Sequence, residues 1–238
     1  MKQITDYSDV RNRDACIHCR AGLNSRNKSR DHVPSKCLLV DPLPNNLYKV
    51  AICKACNASF SPDEEYLSSF LEAVLTGSVD SDPNPLPSTA TSVKGSFGVR
   101  KRISQSRREQ PLLFGGTEVT WIPELNRIHS VIVKNARGHV FFELGEPLVD
   151  PPSRVDCLPV IRMTVDQRNA FEEISLGSGW PEVGSRMMQR VVGIEPLVDG
   201  WVLVQHNVYR YAVFQDYGEM VVRSLIRDYL ATEVAWEY

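Results

Sequence analysis

No stretch of this sequence approaches the roughly 18–20 consecutive apolar residues of a membrane-spanning helix, and the opening MKQITDYSDV lacks the apolar core of a signal peptide. The expected setting is therefore the cytoplasm, with no membrane partner. Charge of one sign is not in excess either: 27 Lys and Arg stand against 29 Asp and Glu, a formal net of −2. That excludes a chain that is basic throughout, so any surface for a polyanion has to be local. Glycine (14) and proline (15) are near average in the 238 residues, which excludes a low-complexity chain. No internal repeat is visible. With 42% apolar residues, a real hydrophobic core is available.

Against these absences stand six cysteines. In a reducing compartment, cysteines point to metal or buried thiols before disulfides. Four of them form two C-x-x-C pairs, Cys16/Cys19 and Cys53/Cys56. Each short loop can supply two neighbouring corners of a closed tetrahedral Zn²⁺ site, whose metal is structural because no position stays open. Such an ion would join the ends of a segment too small to hold its own core. Two unrelated pairs of buried thiols are the alternative; a redox C-x-x-C would need a βαβ context that is not seen here. Cys37 and Cys157 lack pair spacing and read as small apolar residues.

The chain divides into three parts. Residues 1–77 hold the cysteine pairs and end in SPDEEYLSSFLEAVLTG. There Ser61 is a candidate N-cap, Pro62 suits the first helical position and Glu64 completes a capping box. Tyr66, Leu67, Phe70, Leu71, Val74 and Leu75 recur at helical spacing, and Gly77 offers a stop. Residues 78–97 are rich in Ser, Thr, Pro and Asp and read as a linker or mobile loop. Residues 98–238 read as a mixed α/β, β-rich region. Its PELNRIHSVIVKNARG predicts a helix closed by Gly138, and SRMMQRVVG a short one. IRMTV and EMVVRSLIRDYLATEVAW have β texture, and WVLVQ and YRYAVF predict a hairpin across His206-Asn207.

Between the cysteine pairs runs RDHVPSKCLLVDPLPNNLYKVAIC, followed at once by Lys54-Ala55-Cys56-Asn57. Asp-His-Val-Pro, then Asn-Leu, an apolar strand and C-x-x-C-Asn resembles the HNH (His-Me finger) endonuclease motif of the zinc-containing, treble-clef type, over about residues 14–72. The resemblance implies an α+β fold whose N-terminal ββα-metal unit is stapled by zinc. It implies hydrolysis of phosphodiester bonds in DNA, with RNA left open, through one Mg²⁺ or Mn²⁺. His32 would be the general base, and an unperturbed imidazole pKa near 6.5 suits that task. Asp31 and Asn57 would hold the ion. Asn46, which precedes Leu47 as the family prefers, would steady the hairpin and the histidine; Asn45 is one residue away and competes for that role. A homodimer and an ATPase or other defence-system subunit are partners that the family admits.

Basic residues cluster around this motif. Arg26, Lys28, Arg30 and Lys36 are candidate backbone contacts, and Arg100, Lys101 and Arg102 a candidate second strip, although a solvated helix face explains such a run equally well. His18 reads as a solvated loop residue, and His129, His139 and His206 as ordinary helix, strand-edge and turn positions. Trp180, Trp201 and Tyr209–Tyr211 read as core before a stacking platform. The alternative to an endonuclease is a zinc-stabilised module that binds nucleic acid or protein without cutting.

Overall fold

The computed structural model describes Tyr7 and residues 12–79, 97–111, 116–174 and 181–237. Its first element is a hairpin of β1 (Lys28–Val33) and β2 (Tyr48–Cys53), antiparallel and in the register Lys28↔Cys53 to Val33↔Tyr48. β2 runs straight into α1 (Lys54–Thr76). The remaining elements are α2 (Phe97–Ser106), the isolated hairpin β3 (Arg107–Pro111) and β4 (Thr117–Trp121), and α3 (Leu125–Leu144). Then follow β5 (Arg154–Pro159), α4 (Val165–Glu172), α5 (Arg186–Val191), β6 (Val202–Gln205), β7 (Tyr209–Asp216), β8 (Glu219–Ile226) and β9 (Leu230–Glu237). The last five strands form one antiparallel sheet in the order β5-β9-β8-β7-β6. The architecture is thus mixed α/β, with a four-cysteine cluster near the N-terminus and an antiparallel sheet at the C-terminus.

That sheet is covered on both faces, which is why β7, β8 and β9 are buried along most of their length, while the edge strand β5 alternates exposed and half-buried residues. Tyr211, Val213, Met220, Val222 and Val234 join α1 and α3 in the main core. Ala212, Phe214, Val221, Leu225 and Ala235 pack on Phe171 of α4 and on Trp201. The N-terminal segment shares the main core: Leu38, Leu39 and Leu47, from the loop between β1 and β2, lie in it with Tyr66, Phe70, Val131 and Tyr211. Loop and helix are also pinned by hydrogen bonds. Ser35 N–H (2.9 Å) and Ser35 Oγ (3.1 Å) both donate to Asn135 Oδ1 of α3.

The predicted hairpin β6–β7 is present, with Asn207 in the left-handed region (φ 57°). The helix over SRMMQRVVG is α5, capped by Ser185. Most of the segment 78–97 lies outside the described residues.

Several expectations need correction. α1 begins at Lys54, not at Ser61: Cys53 is its cap and accepts the Cys56 N–H on Sγ at 3.3 Å, so the C-x-x-C turn is itself the first helical turn. Pro62 therefore stands inside the helix, where its missing N–H removes one bond to the preceding turn. Ser61 Oγ returns to Asn57 O (3.1 Å), and Glu64 leaves the capping box for Lys134. Gly138 does not end α3, which runs to Leu144 and stops at Gly145 (φ 80°). IRMTV is not a strand but a 3-10 turn (Val160–Arg162) leading to Thr164, which caps α4 in a capping box with Gln167. In each case tertiary anchoring or a cap outweighed the local pattern.

Candidate functional site

The four cysteines of the two pairs come together. Their Sγ atoms all lie within 4.8 Å of one another, and Cys19 Sγ and Cys53 Sγ are 3.8 Å apart. Sulfurs bound at about 2.3 Å to one tetrahedral ion are about 3.8 Å apart, so the cluster can hold a metal, and its donor set and size suit zinc. Two loops build it. Residues 14–23 turn back on themselves, with Cys16 N–H donating to Ala21 O (2.9 Å) and Leu23 N–H to Asp14 O (2.8 Å). The other loop is the start of α1, where the Cys56 N–H on Cys53 Sγ draws that thiol down to about 7 and so favours the thiolate that a metal needs. Cys16, Ile17, Val33, Val50, Ile52 and Phe141 form a small core beneath the cluster.

His18, expected in solvent, is buried instead. Phe60 of α1 covers it edge-on at 4.8 Å between centroids. Burial, with Arg137 and Lys134 nearby, pushes its pKa down to about 3. The reason is the cluster: drawing the two loops together folds the residue between Cys16 and Cys19 under α1.

The candidate catalytic residues divide between the two faces of the hairpin. Successive residues of a strand point to opposite sides, and cross-strand partners share a side. Val33 and Asp31 face α3. Asp31 Oδ2 lies 2.8 Å from Lys134 Nζ, which also donates to Ser35 Oγ (2.9 Å) and to Glu64 of α1. Lys134 is almost fully buried, with 2% of its side chain exposed, against 12% for Asp31. Burial pushes the Asp31 carboxyl up, and Lys134 opposes this.

His32 belongs to the other face, with its register partner Lys49. Burial, then Lys36, Lys49 and Lys134, lower its pKa to about 4, so the imidazole is neutral at physiological pH. Its Nε2 is buried and has no hydrogen-bond partner among the described residues.

The remaining candidates are more scattered. Asn57 is half-buried in the second turn of α1, and Asn46 is exposed in the turn before β2. Arg26, Lys28, Arg30 and Lys36 are exposed around the hairpin. Arg100 and Lys101 line a separate open cleft of about 610 Å³ with Phe97 and Arg107, while Arg102 stands 3.7 Å from Glu124. Trp201, Tyr209 and Tyr211 are buried core, and Trp180 lies outside the described residues.

The residues nominated for a divalent ion fit it poorly. Asp31 already carries an ammonium, and among the described residues only the four cysteines place three or more Cys, His or carboxylate donors together. An ion at Asp31 and Asn57 would first have to displace Lys134.

Lys49 and Lys134 were missed from the sequence, and Glu64 was read only as part of a capping box. Lys49 becomes visible only once the register pairs it with His32, and Lys134 lies about a hundred residues from Asp31 with no local signal. No helix among the described residues is long and apolar enough to cross a membrane. Compared with known proteins, the chain matches no family model, no curated protein and no solved structure.

Proposed function

We propose that this chain is a phosphodiesterase of the HNH (His-Me finger) kind acting on DNA, with His32 as general base on a frame stapled by structural zinc. The observation that carries the reading is the order β1–β2–α1, with His32 in β1 and four sulfurs gathered where β2 meets α1. In the proposed reaction, neutral His32 takes a proton from a water molecule as its oxygen attacks phosphorus. The bond to the leaving oxygen breaks, and that oxygen takes a proton from solvent. A base with a pKa near 4 is weak. Burial is the main cause; a bound phosphate would offset only the smaller contributions of Lys36 and Lys49 and so raise that value in part.

The family's Mg²⁺ or Mn²⁺ on Asp31 and Asn57 belongs to this reading only if Lys134 can leave. The ion pair of Asp31 with Lys134 favours a second reading, a zinc-stabilised module that binds nucleic acid or protein without cutting. Supercoiled plasmid incubated with zinc-loaded protein in Mg²⁺, in Mn²⁺ or without added divalent ion, beside His32→Ala, separates the two. Nicking lost in His32→Ala supports the nuclease. Equal nicking by both proteins removes His32 from the chemistry, and no nicking by either leaves the binding module.

A further inference from the structure

The outer face of the hairpin carries Lys28, Arg30 and His32 on β1, opposite Cys53, Ala51 and Lys49 on β2. The one acid in either strand, Asp31, points the other way and is neutralised by Lys134. Lys36, in the short turn after β1, adds a fourth cation whose charge reaches His32. Lys28, Arg30 and Lys36 are exposed and Lys49 half-buried.

None of these four forms an ion pair with a described residue. Elsewhere Arg127, Arg154, Arg186, Arg190, Arg210 and Arg223 all do. In a chain of net charge −2, Lys36 and Lys49 beside His32, with Arg30 and Lys28 farther along the same strand face, concentrate positive charge on one side of the hairpin.

We propose, resting on the reading of His32 above, that the DNA phosphate is held beside His32 by Lys49 and Arg30, with Lys28 and Lys36, and not by a divalent ion at Asp31. Asp31, Lys134 and Glu64 are then a structural triad that locks the hairpin to α1 and α3. Lys49 is the central residue. Directly opposed residues of an antiparallel pair have Cα atoms about 4.5–5.5 Å apart, so its ammonium reaches a phosphate seated on the His32 ring. Contacts of this kind position a backbone without reading its sequence.

The test is fluorescence anisotropy of a labelled 20-base-pair duplex in buffer free of Mg²⁺ and Mn²⁺, across a salt series, on protein whose zinc content has been verified. Lys49→Ala and Arg30→Ala should each weaken binding about three- to tenfold and lower the slope of log K against log salt by about one. Arg168→Ala, which removes an exposed charge from α4, should change neither. Lys49→Ala and Arg30→Ala proteins that are folded by circular dichroism but bind like the parent would overturn the proposal. So would a one-to-one Mn²⁺ site, read by electron paramagnetic resonance with Mn²⁺ alone and lost in Asp31→Asn; that result would leave the nuclease reading standing. Binding that depends on Lys49, without cleavage that depends on His32, would retire the nuclease and keep the phosphate site.

Discussion

Gly138 of α3 lies so close to Val33 of β1 that a Cβ on the glycine would sit 2.6 Å from Val33 Cγ2. The absence of a side chain at one residue thus lets the hairpin rest on the C-terminal half of the chain. Gly138→Ala should gain about 1 kcal/mol of helix propensity and lose more to the clash, since overpacking costs about 1–3 kcal/mol. Val33→Ala in the same background should recover part of that loss. Urea unfolding of the four proteins of this cycle checks it, and a neutral or stabilising Gly138→Ala would refute the close approach.

The cysteine cluster predicts about one zinc per chain by elemental analysis, by the four-thiolate logic. Cys19→Ala should abolish it. Structural zinc sites contribute apparent binding free energies of about 10–16 kcal/mol in small domains, so chelation should lower the thermal midpoint sharply. A metal-free protein with an unchanged midpoint would contradict the assignment.

Lys134 compensates two carboxylates at once. Lys134→Met leaves Asp31 and Glu64 together in a largely buried site, and the expected loss is about 3–5 kcal/mol in chemical unfolding. Adding Asp31→Asn should return part of it. A Lys134→Met protein as stable as the parent would mean that the triad is open to water.

His139, expected at a strand edge, is instead buried in the C-terminal half of α3, stacked on Tyr211 at 3.7 Å and joined through Nε2 to Tyr209 Oη at 2.9 Å. Burial lowers its pKa to about 3. The unfolded chain therefore takes up this proton near pH 6.5 and the folded chain only near pH 3. The stability contributed by the neutral ring is complete above pH 6.5 and declines as pH falls toward 3. By pH 5 the loss is about 2 kcal/mol. His139→Gln should show a difference between pH 7 and pH 5 smaller by about that amount. An unchanged difference would place the ring in contact with solvent.

Much of the local architecture was legible in the sequence. The apolar positions of α1 and its stop at Gly77, the β6–β7 hairpin and the short helix α5 all have local causes: helical spacing, a left-handed glycine, a turn asparagine and a serine cap. The β8–β9 turn was less visible. It places Arg227 (φ 57°) and Asp228 (φ 47°) in the left-handed region with no glycine to mark it, held by the strands on either side. The continuation of α1 through Pro62 and of α3 through Gly138 was hidden for the same reason. A helix anchored by cysteine loops at one end, or buried along its length, tolerates residues that would stop an isolated one.

For the site, the sequence by itself determined the two cysteine pairs, because the spacing of a C-x-x-C loop is a local property, and it placed His32 beside Asp31. Only the tertiary structure decided how those two neighbours differ. Strand alternation turned His32 toward Arg30 and Lys49, and the packing of α3 brought Lys134 onto Asp31. A buried carboxylate needs a compensating charge, and here the chain supplies it from a helix a hundred residues away.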